Sequence, residues 1–417
     1  MPNCAPLGCD LCFAPTNHSP SPTGSKVHLT VLTPLLSACS RRHWLAVGMA
    51  AAAGPRLCPA TPDTGPQAPR HALVVGQTLS LDAGRNPAAV AVRQGIETAL
   101  QVVRLNGGIR GRPLWLRSLD DQGQPEAAAR NAQRLADEGA LLLFAPLGDA
   151  CASAVLAVAS RRQMPLMAPL SGLARFYEAI PSGVYPVRAS ARAECEFLWG
   201  HARTMGMRRV AVLHLDDEFG RSLRDDAHAA AEALGLPPVL SMSLAPGSSA
   251  AALAPLLERA RHVDMVLLLT DGPAAAEFVR QLRRLGLRAV VMGLSTCAAG
   301  VLAQLGPEAY GLQFSQVVPS PWGASLHWVQ QFQLAFKASF RGQPLSHLCL
   351  EAYVSTLALA EALRNAGPQP TRESLRAALH NSSVALDGFS SHYLDGQARG
   401  SRYVDMALVG HDGRWRQ

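Results

Sequence analysis

The residues best suited to chemistry in this chain are short clusters of carboxylates at the ends of apparent strands. Asp216-Asp217-Glu218 follows an apolar run that contains His214, and Asp120-Asp121 follows an earlier one. A metal ion would need these oxygens to converge, but consecutive residues in an extended loop point in different directions. A solvated loop with one carboxylate reaching a ligand therefore explains the first cluster better, and a turn explains the second.

The sequence lacks the short motifs with which many enzymes build a reaction centre. It has no Gly-X-Ser-X-Gly, no Walker sequence, no His-Glu-X-X-His and no Gly-X-Gly-X-X-Gly after a strand. Gly107-Gly108-X-X-Gly111 comes closest to a phosphate loop, but it follows a helix instead of opening one, which indicates a turn. We therefore expect a binding protein rather than an enzyme, with no cofactor and no metal.

Length and charge narrow the class of protein further. A chain of 417 residues suits two domains, each with its own core. The net charge of +7 comes from arginines that are dispersed among carboxylates. Nucleic-acid binding would require a basic stripe, so no nucleic-acid partner is predicted.

Strands and helices alternate along the chain and position these loops. Apolar residues recur at helical spacing from Ala88 to Leu105, and Asn106-Gly107 ends that helix. The run 140–144 is apolar throughout, as expected of a parallel strand buried on both faces. A second series of the same kind runs from Arg209 to Met292, and the fold class is therefore α/β with two doubly wound halves.

The end of the chain changes pattern. Three helices are predicted at 326–340, 346–366 and 371–380, and the stretch 388–415 alternates as strands. Asp395-Gly396 and Asp412-Gly413 are typical hairpin turns.

Residues 1–70 are predicted to be an export signal and leader outside the fold. Arg41-Arg42 precedes Trp44-Leu45 and a short apolar run, which resembles a twin-arginine signal and is too short for a membrane anchor. Signals seldom begin so far in, so we expect translation to start downstream of Met1. In the alternative, 36–39 (Leu-Ser-Ala-Cys) is a lipoprotein cleavage box. Both alternatives export the protein.

Cysteine usage leaves the redox state open. Five of the nine cysteines fall within residues 1–70, and Cys9-X-X-Cys12 has no second pair at zinc-site spacing. The remaining ones either form disulfides or are solitary buried thiols; they are Cys151, Cys195, Cys297 and Cys349.

About ten short motifs, in order, carry a resemblance over residues 72–417. They include 106–112 (Asn-Gly-Gly-Ile-Arg-Gly-Arg), Tyr185-X-X-Arg188, Phe219-Gly220, Ala352-Tyr353 and 394–396 (Leu-Asp-Gly). In this order they resemble the leucine/isoleucine/valine-type periplasmic solute-binding proteins, the receptor components of ABC importers. The resemblance implies two α/β lobes joined by three crossovers, with a ligand trapped as the lobes close.

By this resemblance each lobe is discontinuous in sequence. Crossovers are expected near Arg188, Gln313 and Gly388. Residues 71–188 with 314–388 then form lobe 1, and residues 189–313 with 389–417 form lobe 2.

The ligand is expected at the carboxyl ends of the strands, where helix N-termini present free amides. The resemblance implies a hydroxyl near 145–151 for a ligand carboxylate, an aromatic at Phe219 and an acid near 294–296 for an ammonium. The candidate ligand-binding residues are Ser80, Asp149, Ala150, Ser171, Gly172, Phe219, Asp271 and Ser295.

Two of these positions depart from the family pattern. Asp149 stands where a hydroxyl is expected, and Ser295 where the acid is expected. If Asp149 caps the following helix and faces the cleft, it repels a ligand carboxylate by roughly 4 kcal/mol at about 4 Å. A neutral polar, amide-like or cationic solute would then fit better than an ordinary α-amino acid. In the alternative, Asp149 is a cap that points away from the cleft.

These features together predict an exported, periplasmic, monomeric receptor that captures a small polar solute, such as an amino acid or amide, for an ABC permease. The alternative is a sensor of the same fold that regulates a partner protein.

Overall fold

The computed structural model describes residues 68–416 apart from 70, 83, 85, 178–182, 237–238, 249, 271, 381 and 394–399. The predicted signal and the turn Asp395-Gly396 therefore lie outside the described residues. The helices are α1 Pro87–Leu105, α2 Pro125–Asp137, α3 Asp149–Arg161, α4 Ala191–Thr204, α5 Glu218–Ala233, α6 Ala254–Ala260, α7 Gly272–Arg284, α8 Ser295–Leu305, α9 His327–Ser339, α10 His347–Asn365 and α11 Arg372–His380.

The strands are grouped into three sheets. Their bounds are β1 Leu73–Leu79, β2 Leu114–Asp120, β3 Leu143–Phe144, β4 Leu166–Met167, β5 Val184–Tyr185, β6 Val210–Leu215, β7 Leu240–Leu244, β8 Met265–Leu268, β9 Val290–Gly293, β10 Gln313–Gln316, β11 Ser383–Leu386, β12 Phe389–His392, β13 Gly400–Ser401, β14 Asp405–Val409 and β15 Trp415–Arg416.

The two larger sheets repeat one winding. The first has the order β2-β1-β3-β4-β5 and its strands are parallel. The second has the order β7-β6-β8-β9-β10, to which β14 and β15 add antiparallel at one edge. This arrangement confirms the predicted α/β class with two doubly wound units, and the pairing of β14 with β15 confirms the hairpin at Asp412-Gly413.

Helices cover both faces of each sheet. On the first sheet, α1 packs against α10 on one face and α2 against α3 on the other. On the second, α4 packs with α5, and α7 with α8. We call β1–β5 with α1–α3, α9–α11 and β11–β13 lobe 1, and β6–β10 with β14, β15 and α4–α8 lobe 2. None of the helices in the described part of the chain is long and apolar enough to cross a membrane.

The chain passes between the lobes three times. Arg188 lies at the first passage, after β5. The second passage follows β10, because Gln313, where a crossover was expected, is still paired with β9 and β14. The third passage follows β13, because Gly388, the other expected position, lies within the β11–β12 hairpin. Both passages thus come somewhat later than the sequence predicted. The division of the chain into lobes at these points stays our proposal.

The first and third passages lie against each other. The Ser401 amide donates to the Val187 carbonyl at 3.0 Å. Gly400 has a φ of 56°, and a Cβ there would lie 2.4 Å from the Arg188 carbonyl oxygen. Only glycine suits this contact, because it combines left-handed backbone with close approach of another chain segment.

Candidate functional site

Two loops of lobe 1 bring Asp149 and Ser171 together. Asp149 begins α3, and Ser171 follows β4 on the neighbouring strand. The Ser171 hydroxyl donates a 2.6 Å hydrogen bond to Asp149 Oδ1 and accepts one from the Leu173 amide at 3.3 Å. The two predicted residues therefore form one polar unit at the carboxyl edge of the sheet.

Asp149 is not the helix cap that the sequence predicted. Gly148 is the N-cap of α3, and no side chain caps the helix. Asp149 is instead the first helical residue, and its carboxylate turns toward Ser171. The amides at the start of α3 are therefore left without a side-chain acceptor.

The electrostatic neighbours of Asp149 belong to both lobes. Burial raises the pKa of Asp149 above its ordinary value, and the negative charge of Asp217 in lobe 2 raises it further. The Ser171 hydrogen bond and the positive charges of Arg188 and Arg175 in lobe 1 oppose this rise. Charged groups from both lobes thus act on this carboxylate. The alternative in which Asp149 faces the cleft stays a prediction.

Arg175 joins the two lobes at the predicted aromatic residue. It belongs to lobe 1, its guanidinium carbon lies 5.6 Å from the centre of the Phe219 ring, and its Nη2 pairs with the Glu218 carboxylate. Glu218 and Phe219 open α5 in lobe 2. A cation–π contact and an ion pair therefore hold the two lobes at one point.

Arg188 is the centre of a buried network at the first passage. Its Nη2 donates to Glu194 Oε1 at 3.0 Å and also to the Ser295 hydroxyl. Its Nη1 lies 3.6 Å from Glu351 Oε1. Glu194 and Ser295 belong to lobe 2 and Glu351 to lobe 1, so a single guanidinium connects both lobes.

The carboxylate of Glu194 is fully used by this network. Its Oε2 accepts from the Ser315 hydroxyl at 2.6 Å and from the Ser295 amide at 2.9 Å, in addition to the Arg188 contact. An acid from α4 thus lies beside Ser295, where the family pattern places an acid. That acid is already paired with a cation.

Glu351 has fewer partners in this network than Glu194 has. Its Oε1 is buried and has no hydrogen-bond partner in the described structure. Burial raises the pKa of Glu351, Arg188 opposes the rise and Glu194 adds to it. Burial by itself lowers the pKa of Arg188, but the negative charges of Glu351 and Glu194 outweigh this effect and raise the pKa above its ordinary value. The network holds more carboxylate than guanidinium.

The other predicted site residues have different surroundings. Ser80 is buried at the end of β1 and Ala150 is half-buried in the first turn of α3. A Cβ on Gly172 would lie 2.8 Å from the Ala191 nitrogen, so this glycine permits close contact with α4. Asp271 lies outside the described residues. Ligand contact by the predicted set stays a prediction.

The carboxylate clusters serve the local structure. The Asp217 side chain accepts from the Gly220 amide at 2.7 Å and caps α5, while Asp216 pairs with Arg221. Asp121 accepts from the Thr78 hydroxyl and the Gly123 amide, as expected of a turn. Among the described residues, no group of three or more potential metal ligands converges.

The cysteines of the described residues form no disulfide, as one of the two sequence alternatives predicted. Cys151, Cys195, Cys297 and Cys349 are buried thiols. Burial raises the pKa of Cys151 to about 12, which keeps its thiol protonated and unreactive.

Sequence reasoning missed the acidic members of the site. Glu194 is one carboxylate on an amphipathic helix, and Glu351 lies in a helix whose residues are buried on nearly all sides. Nothing in their spacing marks them. A glutamate within an otherwise apolar run was the only available signal for Glu351.

Comparisons with known proteins agree with this architecture. A family model described as periplasmic binding protein matches residues 75–412. The chain is 27% identical over 283 residues to an amino acid binding protein of Pseudomonas aeruginosa, covering 66% of this chain and 73% of the relative. It is 21% identical over 293 residues to the Leu/Ile/Val-binding protein BraC3 of Rhizobium johnstonii, covering 69% and 78%.

A solved structure shows the same fold. The substrate-binding periplasmic protein from Ralstonia solanacearum superposes with a TM-score of 0.71 at 27% identity. The match covers 83% of this chain and 99% of that structure.

Proposed function

The chain belongs to the periplasmic binding protein family, of the leucine/isoleucine/valine-binding type, and we propose that it captures a small polar solute between its lobes for an ABC importer. In this proposal residues 1–70 direct export, and the mature protein is a periplasmic monomer. It acts by binding and release, without catalysis.

One observation supports the proposal most directly. Arg188 lies at a passage between the lobes, where it donates to Ser295 of lobe 2 and lies beside Glu351 of lobe 1, and its charge also acts on the Asp149–Ser171 pair of lobe 1. A solute held there would contact both lobes and would stabilise the arrangement in which they are together. Such differential binding is what a ligand needs to shift a conformational equilibrium.

Thermal unfolding in the presence of a broad metabolite panel tests the binding. A solute at about 100 times its dissociation constant should add roughly 2.7 kcal/mol of stability. Small-angle scattering with that solute should then show a smaller radius of gyration than without it. A bound solute that leaves the radius unchanged would contradict capture by closure.

Uptake of the labelled solute by cells that lack this chain tests delivery. The proposal expects uptake to fall and to recover when the wild-type chain is restored. Normal uptake combined with loss of a solute-dependent change in gene expression would show a sensor instead.

A further inference from the structure

The groups around Arg188 carry an excess of negative charge. Arg188, Glu194 and Glu351 are 3%, 0% and 4% exposed, so water screens these charges little. Glu194 and Glu351 share the one guanidinium, and Asp149 adds a third carboxylate nearby. Buried charges are normally paired, so this arrangement lacks a cation.

Arg175, the other arginine near Asp149, does not supply the missing cation. Arg175 forms its ion pair with Glu218 and covers the Phe219 ring. Asp217, which also faces Asp149, is a further acid whose carboxylate caps α5. The charged groups that face the site from α4, α5 and α10 therefore add to the deficit.

Hydrogen-bond roles lead to the same conclusion. The hydroxyl hydrogens of Ser171 and Ser315 are donated to Asp149 and Glu194, and so are not available to a ligand acceptor. On the acceptor side, Glu351 Oε1 is buried without a hydrogen bond. A buried acceptor that lacks a donor costs stability, which a donor on the solute would recover.

Resting on the proposed function, we propose that the captured solute is cationic, an amine or amidine, and that Glu351 receives its positive group. Glu351 approaches Arg188 from lobe 1, opposite Glu194 and Ser295 of lobe 2. Entry of a cation between them supplies the missing charge, and closure of the lobes buries it. The amides at the start of α3 do not reverse this preference, because the Asp149 carboxylate lies beside them and repels an anion.

Calorimetry with five probes tests the charge of the solute. Putrescine and agmatine are cations, succinamide is neutral, succinate is an anion, and leucine represents the solute in the names of the relatives. We expect the wild-type chain to bind one of the two cations at least tenfold more tightly than succinamide, succinate or leucine. Tight binding of succinate or leucine with closure would leave the proposed function standing and overturn this inference. Failure of all five to bind would overturn this inference, while the proposed function would still be decided by the thermal unfolding panel.

The variant Glu351→Gln tests the residue. Gln keeps the shape and removes the charge, and we expect the affinity for the bound cation to fall roughly ten- to hundredfold, the range for hydrogen bonds to charged groups. Succinamide binding should change by less than about threefold. Glu361→Gln, on the same helix but paired with Arg364 at a half-buried position, is the matched control and should bind the cation as the wild type does. Unchanged cation affinity in folded Glu351→Gln would exclude this role.

Proton release gives an independent measurement. Burial raises the pKa of Glu351, so its carboxyl stays protonated above its ordinary titration range. A bound cation favours the ionised carboxylate, so cation binding should release protons and become tighter as the pH is raised from about 5. Calorimetry in buffers with different ionisation enthalpies measures this release. Binding without proton release, with an affinity independent of pH, would contradict the proposal.

Discussion

Replacing Arg188 with methionine should destabilise the folded chain by about 3–5 kcal/mol at neutral pH, the cost of leaving buried carboxylates without their partner. Met has a similar length and no charge, so the change leaves Glu351 with no cation and Glu194 with only the Ser315 hydroxyl and the Ser295 amide. Urea unfolding, followed by fluorescence and circular dichroism, measures the loss.

The size of the loss should depend on pH. Removal of the guanidinium raises the pKa of Glu351 further, so above the ordinary glutamate value of 4.5 the folded variant binds more protons than the unfolded chain. A state that binds more protons loses relative stability as the pH rises. The deficit of Arg188→Met should therefore be largest at neutral pH and should shrink as the pH falls toward about 4.5.

Two further variants separate this reasoning from a general effect of losing an arginine. Arg93→Met removes one member of an exposed pair with Glu97, at 3.7 Å, and should cost less than about 1 kcal/mol. The double variant Arg188→Met/Glu351→Gln should recover part of the loss, because it removes one uncompensated carboxylate. A loss below about 1 kcal/mol, or one that is the same at every pH, would refute the account of the network.

Three further outcomes are expected. Asp149→Ser should improve succinate binding and weaken binding of the cation, each by roughly tenfold in calorimetry, and equal affinities would assign Asp149 a purely structural role. Glu218→Gln should leave Arg175 without its interlobe partner and weaken solute binding at low salt. The difference in affinity from the wild type should vanish at high salt, because salt screens the charges. A difference that does not depend on salt would argue against a charge effect. Gly95→Ala should lower the free energy of unfolding in urea by about 1–3 kcal/mol, since its Cβ would lie 2.1 Å from a carbonyl oxygen of the facing helix. Gly200→Ala should raise the free energy of unfolding by up to about 1 kcal/mol, because its Cβ would meet nothing within 4 Å. Equal effects of the two alanines would contradict the packing argument.

Local pattern determined much of the architecture. The periodicity from Ala88 to Leu105 predicted α1, which begins at Pro87 because Asn86 accepts a hydrogen bond from the Ala89 amide. Helix starts at loops were predicted less well. The sequence analysis predicted a solvated loop at 216–218, but α5 begins at Glu218, since Asp217 caps it through the Gly220 amide.

In the candidate site, too, some residues were identified from the sequence and others only from the structure. Sequence order identified the loops with Asp149, Ser171 and Ser295, because ligands of wound sheets bind at the carboxyl ends of strands. It did not identify the partners of Arg188, since Glu194 and Glu351 are far apart in the chain and belong to different lobes. Residue type and spacing are local properties, and they predict elements that depend on near neighbours. Whether a carboxylate is buried, and which cation neutralises it, depends on how distant elements pack, and only the tertiary structure decided that.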